Sequence, residues 1–502
     1  MLTSTVIKEK FKVLTLRDIL LLSILVGLVV VVLLPNLNIV IDYSQGRIEE
    51  WLALFLSFIL LVFGAIFFRS GKKAVCLLFP IFLSLNFKLL SIGILGDEFW
   101  ENNLIGYRPW VLIFDPLVIF VFLAGIINLR PHRISRTIKT NFLPVTFYIF
   151  FLLSGLLSFL RATDSTYAWI GFFALTRFLA WYISFLILFT NDIRMIKYVV
   201  WGLAGFIFVQ SVFSIFQALG IQTIERLFEW SADKFVYAGD IIRVGGTVTR
   251  ATLESMFLLI IPTLFAYANS SEESVRSKRV LMFCAILGMV VVFMTGSRGP
   301  IIATAIGVAV ALRIYKFIGL QKRSIRNLSL IILVFILGVT FVLLSGDIQN
   351  TLLRNTATYR FETFQVAIRM ITDSPFLGIG LNNYLIVGPN YGMSESLIRF
   401  GRPVHNQYLM IAAETGVIGL TVFLMLLVFW WQLTRKAFVP CQSAQLCWLT
   451  KGVQGSIIAL LLTSLLDAPL IKIPVMIPLA ILIAAVGALA SYSNISPSTA
   501  NL

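Results

Sequence analysis

Apolar and polar positions alternate along this chain on the length scale of a bilayer. Long apolar runs fall near residues 18–34, 51–68, 74–95, 111–129, 143–160, 167–189, 198–219, 251–268, 280–295, 299–318, 327–345, 406–431, 453–471 and 474–491. Lipid offers no partner for a backbone N–H or C=O, so a run that crosses it becomes a helix. The pattern predicts an all-α integral membrane protein of about fourteen (12–14) transmembrane helices, a single polytopic domain over 1–502. Asn86 and Lys88 interrupt the third run. The first follows Lys8, Lys10, Lys12 and Arg17 with no small-x-small cleavage site, and is expected to be an uncleaved span.

Composition agrees. Of 502 residues, 59% are hydrophobic and 13% charged, against ~25% charged in soluble domains. The net charge of +16 reads as topology. Twenty-four of the 40 basic residues sit in alternate loops, such as 69–73, 130–139, 276–279 and 313–326. By the positive-inside rule those loops and both termini are cytoplasmic. No nucleic-acid partner is implied. Cys76 and Cys284 fall inside spans, and Cys441 and Cys447 in a cytoplasmic loop, so no disulfide is expected.

Two loops on the opposite face are long, 220–250 and 346–405; long loops are usually functional or disordered, and neither of these is low-complexity. In the second, Phe361, Phe364, Ile368 and Ile371 recur at helical spacing, with Arg360, Glu362 and Arg369 off that stripe. This predicts a short amphipathic helix, ended by Asp373-Ser374-Pro375, lying on the membrane surface or on the bundle.

His405, one of two histidines, stands where this loop enters a span, at a depth where a side chain can exchange a proton near neutral pH. Glu414 lies nine residues further, inside the span. A regular helix puts the two on opposite faces, and either could serve as a base. Arg243 lies near the end of the 220–250 loop, and Arg298 in the tight turn Thr295–Pro300. Arginine forks suit phosphate. Arg177, in mid-span, must find a partner. Asp467, near a proline at a span end, reads as structural. Neither a metal motif nor a nucleotide-binding fingerprint is present, and no metal or cofactor is expected.

Four pieces resemble the O-antigen ligase/polymerase superfamily. In order they are RVGGTVTRATLES from Arg243, the Ser-Arg-Gly turn at Ser297–Gly299, the segment from Arg360 to Gly380, and HNQYLMIAAETGVIGL from His405. They lie within a ligase/polymerase-like region, 240–430. The first half of the chain matches only as a hydrophobic pattern. Where the family often carries Pro-Asn before the span, this chain has Arg250-Ala251-Thr252.

The resemblance implies a GT-C-like, metal-independent glycosyltransferase of the bacterial cytoplasmic (inner) membrane. Its expected partners are an undecaprenyl-pyrophosphate-linked glycan donor, a lipid or glycan acceptor, and membrane lipids. It implies His405 or Glu414 as catalytic, with Arg243, Arg298 and Arg360 binding substrate. A secondary transporter of a small anion such as bicarbonate is the alternative, though such proteins usually show inverted repeats and broken midplane helices.

Overall fold

A computed structural model describes residues 70–82, 88–91, 110–112, 131–219, 236–238, 241–246, 250–313, 349–399, 403–438 and 443–492, with isolated positions between 118 and 126. The expected spans 18–34, 51–68 and 327–345 lie outside these residues. The architecture is helical. Its main helices are α1 (Gly71–Phe82), α2 (Pro131–Leu157), α3 (Ser165–Asn191), α4 (Met195–Ala218), α5 (Arg250–Ala268), α6 (Val275–Met294) and α7 (Arg298–Ala311). They continue as α8 (Gln349–Asp373), the short α9 (Tyr384–Val387) and α10 (Glu395–Arg399), then α11 (Gln407–Phe438), α12 (Ala444–Ser464) and α13 (Ile473–Tyr492). Among the described residues eight helices are long and apolar enough to cross a membrane. Expected spans from 143 onward, 327–345 apart, fall on helices, α7 being shorter than its apolar run.

Two antiparallel pairs of short strands are the exceptions. Lys88–Ser91 pairs with Trp110–Leu112, and Val236–Ala238 with Ile241–Arg243. The first pair corrects the start of the helix expected over 111–129 and the helix expected over 74–95. The latter helix ends at Phe82, and the chain beyond it satisfies its backbone across a ladder. Lys88, one of the two residues that interrupt the apolar run, opens the first strand. A second correction concerns Cys447, which is disulfide-bonded, to a residue outside the described ones.

The core is built by helices that are apolar on every side. In both α5 and α13, 94% of the most apolar stretch is buried, as expected of a helix surrounded by others. α5 packs on α12, α7 on α12, α13 on α3, and α11 on α2 and α13. Small residues set the closest approach: a Cβ at Gly307 would press on the Gly455 carbonyl, so α7 and α12 nearly touch backbones. Arg177, buried in α3, lies over the Phe173 ring at 5.1 Å.

α11 is not one straight helix. Gly416 has φ 69° and ψ −175°, a conformation open to glycine, and the helix breaks there. The chain after α8 docks onto this break. Val417 N–H donates to the Pro375 carbonyl (2.8 Å), Ile379 N–H to Ala413 (2.9 Å) and Gly380 N–H to Glu414 (3.1 Å). Gly378, at φ 72°, lies so close to the Glu414 backbone that a side chain would not fit. Below this contact is a mainly apolar cleft lined by Tyr148, Phe151, Phe178, Met410, Phe423 and Trp430, with the Glu414 side chain on its wall.

Candidate active site

His405 comes just before α11, in the segment that ends the long loop. Asn406 caps the helix, its side chain accepting from Leu409 N–H at 3.0 Å. The Asn406 amide also donates to the Leu465 carbonyl (3.1 Å), and Gln407 accepts from Leu470 N–H (2.9 Å). These bonds staple the start of α11 to the turn between α12 and α13. That turn carries Asp467, whose Oδ1 meets His405 Nδ1 at 3.3 Å. Its other oxygen accepts from Lys472 Nζ at 2.6 Å. Lys472 in turn donates to the Ala251 carbonyl (3.2 Å) and Ser255 Oγ (3.4 Å) on the first turns of α5.

The side chains grade from open to closed: 40% exposed for His405, 19% for Asp467 and 15% for Lys472. Burial alone would raise the Asp467 carboxyl. The Lys472 ammonium and the hydrogen bonds from His405 and Lys472 outweigh it and hold the group well below the usual carboxylate range. An ionised Asp467 accepts a hydrogen bond from Nδ1–H, which leaves Nε2 as the free acceptor of the imidazole.

Two more charged groups stand nearby. Glu254, one turn into α5, is buried and within hydrogen-bonding reach of Ser297. Ser297 opens α7 as its N-cap residue, after Gly296 at φ 69°. Next comes Arg298, exposed on the first turn. Gly299 packs on Leu466, the neighbour of Asp467, at 3.2 Å from where its Cβ would be. The Ser-Arg-Gly turn and the His405–Asp467 pair are therefore adjacent, though the segments are more than 100 residues apart. The start of α7 adds free backbone N–H groups and the positive end of a helix dipole, a combination that favours anions.

The other expected residues are placed differently. Arg360 is exposed on α8, which packs against α11. Arg243 ends the strand paired with Val236, and its side chain lies outside the described residues. The segment after it is fixed to the end of α4: Gln217 accepts from Gly245 and Gly246 N–H and donates to the Gly246 carbonyl at 2.7 Å. Glu414 is buried beneath the cluster. Its carboxylate accepts the backbone N–H groups of Asn382 and Tyr384, so it holds the loop from α8 against the break in α11. His405 is thus paired with Asp467, which the sequence suggested was only structural, with Lys472 behind it, which the sequence did not single out. The only signal was an aspartate and a lysine five residues apart in an otherwise apolar stretch, Leu465–Pro474.

A family model described as O-antigen ligase matches residues 281–424. The match covers less than a third of the chain and supports the resemblance to the O-antigen ligase/polymerase superfamily. Together with the membrane helices, it supports a membrane enzyme of polysaccharide biosynthesis. The O-antigen ligase match spans α6, α7, α8 and the first half of α11, and contains Arg298, Arg360, His405 and Glu414. Asp467 and Lys472 lie beyond it. No curated protein matches the chain.

Proposed function

We propose that this protein transfers a glycan from undecaprenyl pyrophosphate to an acceptor hydroxyl on the non-cytoplasmic face of the membrane. One observation carries the reading: His405 is held through Nδ1 by a carboxylate beside an anion-favouring helix start. In this reading Nε2 takes the acceptor proton. The hydroxyl oxygen bonds to the anomeric carbon as the bond from that carbon to the pyrophosphate oxygen breaks. Lipid pyrophosphate leaves with the electron pair. The bond broken is already activated, so the protein's task is proton removal and stabilisation of the departing charge.

Arg298, in the turn that packs beside Asp467, is one of three cations proposed to hold the pyrophosphate; Arg360 and Arg243 are the others. Glu414 serves as a structural clamp in this assignment. The bacterial cytoplasmic membrane, with both termini inside, is the location that the loop charges support.

The test is reconstitution in liposomes with an undecaprenyl-pyrophosphate glycan and lipid or glycan acceptors, followed by mass analysis. The expected result is acceptor carrying the glycan, lost in His405→Ala. Folded protein that binds donor and glycosylates none of these acceptors would overturn the proposal.

A further inference from the structure

Among the described residues, the second face of α8 is exposed. One side of this helix packs inward, with Val366, Ala367 and Met370 buried against Tyr384, Met410 and Ala413. On the other, Phe361 is 64% exposed, Phe364 46% and Ile368 40%, and Phe376 just beyond the helix is 66% exposed. At 100° per residue, Phe361, Phe364 and Ile368 form one strip of the exposed face. Gln365 and Arg369 border it on one side. Arg360, also exposed, borders Phe364 on the far side, so the exposed face carries an apolar strip flanked by polar residues, the pattern of a helix lying in a membrane interface.

The surroundings say what covers the apolar strip. Pro375, next to Phe376, is bonded to Val417. Val417 and Ile418 are exposed on α11, a helix of membrane-spanning length. The end of α8 also meets the end of α2, where Asp373 lies 3.9 Å from Arg161. Leu157 and Leu160, just before that arginine, are exposed as well. The strip is thus continuous with the lipid-facing surface of two spanning helices, and Arg161 and Asp373 stand at its polar margin.

We propose that α8 is a membrane-interface helix. Phe361, Phe364, Ile368 and Phe376 enter the acyl region of the leaflet at the His405 end of the bundle, while Gln365 and Arg369 stay in water. The occupant is the bilayer itself. The inward packing of Val366 and Met370 then ties the depth of that leaflet to the position of α11 and the segment before it. The proposal requires no turnover and is independent of the glycan-transfer reading.

Single nitroxide labels on the full chain in liposomes of phosphatidylethanolamine and phosphatidylglycerol test it. Cys76 and Cys284 are buried and Cys447 is disulfide-bonded, so one introduced cysteine can be labelled selectively. Labels at 361, 364, 368 and 376 should collide with oxygen more than with a water-soluble nickel complex. Labels at Gln365 and at Ser396, exposed on α10, should show the reverse. Preferential nickel collision along the strip would overturn the proposal. So would immobilised labels reached by neither reagent, the mark of a second copy or another protein. Circular dichroism matching that of the wild type reports that each variant has kept its helices.

Discussion

His405 and Asp467 are 62 residues apart and meet at 3.3 Å because both ends of the contact are fixed. Asn406 and Gln407 bind the 465–470 turn from one side, and Lys472 holds the aspartate from the other. A histidine with one ring nitrogen committed in this way has its tautomer chosen and its ring aimed.

Asp467→Asn tests that relationship. The asparagine keeps the shape and removes the charge that selects the Nδ1–H tautomer. Turnover should fall by ~10²-fold or more, within the range attributed to a positioned base, while donor affinity stays near wild type. Single-turnover kinetics alongside a separate donor-binding measurement would show the split. Equal losses in both would mean that Asp467 only supports the fold.

The same pair sets a pH dependence of stability. The Asp467 carboxyl is depressed in the folded protein, so folding favours its ionised form. Its contribution is fully present above the ordinary aspartate value of ~3.9 and is lost as pH falls through the depressed folded value. Thermal unfolding in detergent should therefore separate wild type from Asp467→Asn at neutral pH, with the gap closing below about pH 4. A gap that widened on acidification would contradict the Lys472–Asp467–His405 linkage.

Gly416 gives a test of the fold. Its φ of 69° strains any other residue, and a Cβ there would overlap the Phe376 carbonyl. Gly416→Ala should cost at least ~1–3 kcal/mol from the backbone conformation alone, seen as a lower unfolding temperature. Gly299→Ala meets only the flexible Leu466 side chain and should cost much less. Similar effects for the two would show that the break in α11 is not required.

These residues also show what the sequence could reveal. The spanning helices from α2 onward were legible because lipid imposes length and composition together. Arg298, Arg360 and His405 were legible because charged or titratable groups are rare in this apolar chain. Asp467 and Lys472 were not, because a pairing across 62 residues leaves no local pattern. The break in α11 was hidden too, since Thr415-Gly416-Val417 reads as one more part of an apolar run. The nine-residue rotation from His405 to Glu414 assumed a helix through both, yet His405 precedes it. The helix expected over 74–95 failed because hydropathy counts apolar residues and does not see a strand pair.

Arg360 separates charge from geometry. If it grips a pyrophosphate with both guanidinium arms, Arg360→Lys keeps the charge and loses the fork. A charge-assisted hydrogen bond contributes ~1.5–3 kcal/mol, so donor affinity should drop at least about tenfold. Titration of the detergent-solubilised protein with labelled lipid-pyrophosphate glycan measures it. Wild-type affinity in the lysine variant would remove Arg360 from the donor site.

The choice of base is decided by comparing His405→Ala with Glu414→Gln. The Glu414 carboxylate accepts the N–H groups of Asn382 and Tyr384, and a glutamine oxygen can still accept them. Glu414→Gln should therefore fold, bind donor and retain most of its turnover. His405→Ala removes the only histidine at this end of the described bundle, with Arg298 and Arg360 left in place. It should keep donor binding and lose ~10²–10⁴-fold in single-turnover rate. Added imidazole offers a further check, since a small base entering the vacated space should restore part of the rate in His405→Ala and nothing in Asp467→Asn, where the ring still fills the space. Both variants must first be shown to be folded and donor-bound, so that a lost rate refers to chemistry. The reverse outcome, near-normal turnover in His405→Ala with loss in Glu414→Gln, would move the base from the loop–helix junction to the wall of the apolar cleft. The acceptor hydroxyl would then have to reach well below the Ser-Arg-Gly turn.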